Sequence, residues 1–196
     1  MKKKILFGLA VIMTVGILSG CGRVPQTQID ATNAAIEAAV VAEAPVYLPV
    51  EFAAVQDSMT SINTQVEAQK SKLFKKFGPV KGQLDATLAA ANTVAANAVT
   101  KKEEVRVETE TMITDVKTLL DENSELINSA PKGKEGRAVL SDMRNELSVI
   151  SSSVDEAQVM YDSTKYMDAY NKIKAAKESA TGINTELKDA ISKVRR

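Results

Sequence analysis

The chain has 196 residues, with 25 Lys and Arg against 25 Asp and Glu, one Cys, and neither His nor Trp. A balanced charge excludes the basic field that a nucleic-acid binder needs, and the lack of His removes both the commonest metal ligand and the commonest general base near neutral pH. Zinc sites of the Cys/His type are excluded, and so few aromatic residues leave a thin core in which helices must meet through Ala, Val, Ile and Leu.

The chain opens with Lys2, Lys3 and Lys4, continues in an apolar run from Ile5 to Leu18, and reaches Leu18-Ser19-Gly20-Cys21. A charged start, an apolar stretch and small residues at the cleavage point read as a secretory leader. The run is too short, and too broken by Gly8 and Gly16, to read first as a membrane-spanning helix. Leu18-Ser19-Gly20-Cys21 resembles the lipobox of bacterial lipoproteins. The resemblance implies removal of residues 1–20 and a thioether-linked diacylglyceryl group on Cys21, usually with a third acyl chain on the new amino terminus. Two or more acyl chains anchor a protein stably. The mature chain then carries 22 basic and 25 acidic side chains, and no cysteine remains for a disulfide or a thiol nucleophile. Gly22 and Arg23 stand where retention in the inner membrane is associated with Asp at the first position. By that resemblance the expected site is the outer membrane, facing the periplasm.

Residues 21–26 form a short lipidated tether. A first helix is expected over about 27–43, with Ile29, Ile36 and Val40 on one face, stopping at Ala44-Pro45 because a residue before proline is pushed out of the helical region. Val46, Tyr47 and Leu48 form an elbow, and Pro49 suits the first position of the next helix. Helix two, about 49–76, places Phe52, Val55, Met59, Ile62, Val66 and Leu73 at steps of three and four, a coiled-coil-like seam. Lysines suit its last turn, Gly78 a left-handed cap, and Pro79 the next helix start.

Helix three is the long one, about 80–129, with Leu84, Leu88, Ala91, Ala95, Ala98, Val105, Met112, Val116, Leu119 and Leu126 on its seam. Lys102 and Thr109 take seam positions in the charged stretch Lys101–Glu110, where the helix either continues or bends. A loop follows over Ala130–Gly136. Helix four, about 137–161, shows Leu140, Met143, Leu147, Ile150, Val154, Ala157 and Tyr161. Helix five, about 167–194, shows Tyr170, Ile173, Ala180, Ile183, Leu187 and Val194. Between them the polar side chains of Asp162-Ser163-Thr164-Lys165 can satisfy free amides at a helix start.

A short internal repeat aligns Val40–Pro49 with Val159–Asp168, and Phe77-Gly78-Pro79 is a fainter third copy. In each an aromatic residue precedes a helix-starting Pro or Asp, which suggests a helical hairpin plugged at its elbow by the ring. Tyr47-Leu48-Pro49-Val50-Glu51, preceded by Ala34-Ala35-Ile36-Glu37-Ala38-Ala39, resembles the Tyr-x-Pro-x-Glu elbow of small Ala-rich helical-hairpin domains of unknown function in bacterial envelope lipoproteins. The resemblance covers about residues 30–70 and implies TPR-like hairpins in the periplasm, with no catalytic residues and no known ligand. The second elbow departs from it, with Asp168 for Pro and Tyr170 for Glu.

Little in the sequence carries chemistry. Ser129-Ala130-Pro131-Lys132 matches Ser-x-x-Lys without the companion motifs of that catalytic class. Lys132–Arg137 lacks the spacing of a phosphate-binding loop. Glu103, Glu104, Glu108 and Glu110, with Asp121, Glu122 and Glu125, read as a solvated helix face. The basic cluster Lys70, Lys72, Lys75, Lys76 and Lys81 with Phe74 and Phe77 suits a helix end and has the composition to touch anionic headgroups or glycan.

The expected architecture is all-α: an elongated antiparallel bundle of coiled-coil-like hairpins, about five helices sharing one long central helix. Its helical-hairpin domain spans 27–196, with sub-bundles at about 27–105 and 106–196. The expected function is a membrane-anchored, non-catalytic envelope scaffold or protein-interaction module without cofactor or metal. Its partners are membrane lipid through Cys21 and an envelope protein. The alternative is a carrier holding a small apolar ligand or peptide between its helices. The site residues are Cys21 for lipidation, and Tyr47, Tyr166, Lys72, Lys75 and Lys76 for interaction.

Overall fold

A computed structural model describes residues 22–130 and 134–194. It is all-α, with helices α1 Gln26–Val41, α2 Ala44–Tyr47, α3 Pro49–Lys70, α4 Gly78–Ser129, α5 Lys134–Asp162 and α6 Tyr166–Val194, and no strand among the described residues. The sixth helix is the four-residue α2, placed inside the first elbow. Pro45 does not mark a plain break there; it lies in the first turn of α2, where its missing N–H costs nothing. Leu48, held at φ −138° ahead of Pro49, then separates α2 from α3.

α4 runs unbroken through the charged stretch for 52 residues, about 78 Å at 1.5 Å per residue. Continuity is possible because the two polar seam residues find partners. Thr109 is fully buried and donates to the Val105 carbonyl at 2.6 Å. Lys102 reaches Glu43 at 2.6 Å.

Every other helix packs on α4, and three cores follow one another along it. At one tip Ile29, Met59, Ile62, Val66, Phe77, Val80 and Leu84 close together, with Val24 against them. Next comes a small-residue core of Ala35, Ala39, Ala44, Phe52, Val55, Ala91, Val94 and Ala98. Beyond Met112 the third core joins α4 to α5 and α6 through Ile127, Leu147, Ile150, Val154, Ile173, Ala180, Ile183 and Leu187. Among the described residues, all members of these cores lie between Val24 and Ile191.

Several local expectations are corrected. α1 buries Ile29, Thr32, Ala35 and Ala39, while Val40 is half exposed. Small residues let α1 approach Ala91 and Ala98 closely, and Val40 on that seam would hold the helices apart. α3 ends at Lys70 rather than Lys76. Further helix would stack Lys72 against Lys75 and Lys76 at the repulsive three- and four-residue spacings. Leu73, expected on the seam, is 90% exposed.

Gly78 is no left-handed cap, because the seven-residue loop before it makes the turn gradually and Gly78 opens α4. Among the described residues other than glycine, the left-handed ones are Glu43 at φ 59° and Thr164 at φ 62°. Thr164 closes α5 in a Schellman motif: its amide donates to the Tyr161 carbonyl at 2.9 Å, and the Lys165 amide to the Met160 carbonyl at 2.9 Å. The 162–165 segment thus caps the end of α5 through its backbone rather than the start of α6 through side chains.

Candidate functional site

All four tyrosines of the chain gather where the cores on either side of residues 102–110 of α4 leave a gap. The short α2 turns Tyr47 inward, and only 5% of its surface is exposed. Its phenol oxygen lies near the backbone amide of Met167, in the first turn of α6, and near Tyr166. Tyr47 thereby joins the two elbows, which the sequence treats as separate hairpin corners. Tyr166 is half-buried and tilts against Tyr161, with ring centroids 5.2 Å apart at 58°.

Arg106 holds the opposite side of the junction. Its guanidinium donates to the Tyr161 oxygen at 2.9 Å and pairs with Glu103 at 2.8 Å and Glu110 at 3.2 Å. The Tyr161 hydroxyl donates in turn to Glu110 at 3.1 Å, and that of Tyr170 to Glu108 at 3.4 Å. Glu104 pairs with Lys101 at 3.1 Å. The acidic run is therefore an ion-paired helix face.

Burial pushes the Tyr47 phenol above the ordinary tyrosine value, and the nearby Glu43 carboxylate adds to this. Burial also raises Tyr161, although the Arg106 hydrogen bond works against it. Glu103 is held below the usual carboxylate range by its hydrogen bond from Arg106. The shifts favour the neutral phenols of Tyr47 and Tyr161 and the ionised carboxylate of Glu103. The junction is a joint.

Lys72, Lys75 and Lys76 lie elsewhere, all exposed in the loop from Ser71 to Phe77. The 22 residues of α3 separate them from the tyrosines, about 33 Å along the helix. The structure thus brings Tyr47 and Tyr166 together and places the lysines at the tip. Cys21 lies outside the described residues, as does Lys132 of the Ser-x-x-Lys match. Ser129 donates to the Leu126 carbonyl at 3.0 Å. Among the described residues no helix is long and apolar enough to cross a membrane, and no three acidic side chains gather to hold a metal ion.

Sequence reasoning missed Arg106, Tyr161 and Tyr170 as members of the junction. The signal was available: three of four tyrosines fall within ten residues, and the repeat pairs their elbow with the fourth. It also missed a buried pair in the distal half. Asn123 donates to the Ala180 carbonyl at 2.8 Å and accepts from Asn184 at 2.7 Å. An Asn at a seam position looks like any polar helix residue until its partner is known.

Two depressions among the described residues are open grooves. One, about 680 Å³, runs between α4 and α5 beside Lys117, Asp121, Arg144 and Ser148; the other, about 460 Å³, lies between α3 and α4 beside Asp57, Ser61 and Gln83. No protein-family model, no curated protein and no solved structure matches the chain.

Proposed function

We propose that this chain is a periplasmic lipoprotein, anchored through acylated Cys21 to the outer membrane, that acts as a non-catalytic envelope scaffold or protein-interaction module. The observation that carries the reading is the sequence of three side-chain-filled cores along one 52-residue helix, with Val24 packed into the first of them. A body of this length, tethered by one end, projects binding surfaces far from the lipid. Filled seams and grooves that are open rather than enclosed favour this reading over a carrier, which needs an enclosed apolar space between helices. The leader and the Leu18-Ser19-Gly20-Cys21 pattern support the anchor, and the lack of His and of a second Cys supports a non-catalytic role.

Metabolic labelling with a fatty acid tests the anchor. The wild-type protein is expected to incorporate label and fractionate with the outer membrane, and Cys21→Ser to lose both. Labelling that survives the substitution would remove the lipoprotein reading. Affinity capture of the tagged protein from solubilised envelopes tests the role. A stoichiometric envelope protein in the eluate is expected; a co-purifying apolar small molecule without protein would favour the carrier.

A further inference from the structure

The loop between α3 and α4 exposes two of its three large apolar side chains. Leu73 is 90% and Phe74 80% exposed, the aromatic residue at the tip and the leucine beside it. The loop is nevertheless fixed at both ends. The Gln69 side-chain oxygen accepts from the Lys76 amide at 3.2 Å, and Phe77 is buried in the first core. The apolar pair is therefore held outward by a braced turn.

The charge around it has one sign. Lys70, Lys72, Lys75, Lys76 and Lys81 fall within residues 68–84, which contain no acidic residue. Lys70 is paired with Glu67 at 2.7 Å; no ion pair engages Lys72, Lys75 or Lys76 among the described residues. Behind the tip, Asp30 and Asp85 are engaged by Gln26 and Gln28. Apolar side chains ringed by lysines match an anionic lipid surface, where the rings and chains enter the interface and the ammonium groups stay among headgroups.

The topology places this loop beside the tether. Val24 packs in the same core as Phe77, and Val24 is three residues from Cys21, a span of about 10 Å at most. Any membrane holding Cys21 therefore lies within reach of Leu73 and Phe74. We infer that the Ser71–Lys76 loop is a second membrane contact, seating Leu73 and Phe74 in the interfacial region of an anionic phospholipid leaflet. Two attachment points set the rod's angle to the bilayer, which a single attachment point does not. The inference rests on the lipoprotein reading for its setting, whereas the lipid contact itself follows from the loop.

The chain has no Trp, so Phe74→Trp provides a single fluorescent reporter at the tip. Two forms are measured: the acylated protein reconstituted in vesicles, and residues 22–196 added to preformed vesicles. With phosphatidylglycerol present, the indole emission is expected to shift to shorter wavelength and to be quenched by brominated acyl chains. Val41→Trp, at an 84% exposed position at the far end of α1, keeps the emission of an indole in water. Replacing Lys72, Lys75 and Lys76 with Gln weakens partitioning of residues 22–196 by roughly fivefold per lysine, while its melting is unchanged.

Water-like emission from Phe74→Trp in both forms would overturn the inference, as would equal binding to neutral and anionic vesicles. Binding to peptidoglycan but not to vesicles would overturn it as well. A shifted emission in residues 22–196, together with no fatty-acid labelling in cells, would uphold the loop contact and remove only the lipid anchor.

Discussion

Around Ala91 to Ala98 the long helix meets its neighbours through Ala35, Ala39, Ala44, Ala91 and Ala98, with the ring of Phe52 filling the wider place. Beyond Met112 it meets them through Ile127, Leu147, Ile150, Ile173, Ile183 and Leu187. The distal half also carries cross-helix ion pairs, Lys172 with Glu156, Lys177 with Asp115 at 2.9 Å and Lys188 with Glu122 at 2.8 Å. In this alanine-lined segment close backbone approach fixes which residues face each other, because an alanine seam admits few other arrangements. In the distal half Leu and Ile side chains supply most of the buried volume beside Ala157, Ala176 and Ala180, and such side chains discriminate less sharply between registers. There the buried Asn123–Asn184 pair selects one of them, since a slipped register would strand both amides in the core.

Opposite substitutions should therefore hurt the two halves. Leu187→Ala, at a position 1% exposed, removes buried volume and is expected to cost about 2–5 kcal/mol. Ala98→Leu, at a fully buried position, is expected to cost about 1–3 kcal/mol by forcing the helices apart. Denaturant unfolding of residues 22–196 reads both. A neutral Ala98→Leu would mean that the proximal seam has room to spare, and the close-approach account would fall.

The register argument is tested by Asn123→Leu. This removes the acceptor of the Asn184 amide and leaves a polar group buried, at about 1–3 kcal/mol. Asn123→Leu combined with Asn184→Leu should recover much of that stability while α6 samples more than one alignment, seen as broadened amide resonances along the helix. A double variant with sharp, single resonances would show that shape alone fixes the distal register.

The helices themselves were legible because their apolar spacing is regular. Phe52, Val55, Met59, Ile62 and Val66 are all buried, as the three- and four-residue steps require. Leu140, Leu147, Ile150, Val154 and Ala157 likewise fall in the distal core. What could not be read was the choice among residues of similar pattern. Val40 and Ala39 are adjacent, and only the closeness of α4 decides that alanine turns inward. Leu73 continues the seam by spacing, and only the repulsion among the lysines around it ends the helix before it is reached. The junction was half legible: Tyr47 and Tyr166 stood out as aromatic residues outside the seams. That they meet each other depends on both elbows stopping at the same level of α4, a tertiary fact with no local signature.

The smallest effect tests the joint between the halves. Tyr47→Phe keeps the ring and removes the hydroxyl that lies beside the Met167 amide, so a loss of no more than about 0.5–1.5 kcal/mol is expected at neutral pH. The variant should also change the alkaline limb of stability. Below the ordinary tyrosine value of about 10, both folded and unfolded wild-type chains hold the Tyr47 proton, and its contribution is complete. Above that value the unfolded phenol releases its proton while the folded one, raised by burial and by Glu43, still keeps it. Stability therefore falls as pH rises from about 10 through the raised folded pKa. Melting temperatures compared between pH 9 and 11 should drop more steeply for wild type than for Tyr47→Phe, because lysine and the other tyrosines titrate in both proteins and cancel in the difference. Parallel curves would mean that the hydroxyl is not shielded at the junction, and that the two elbows touch without being locked.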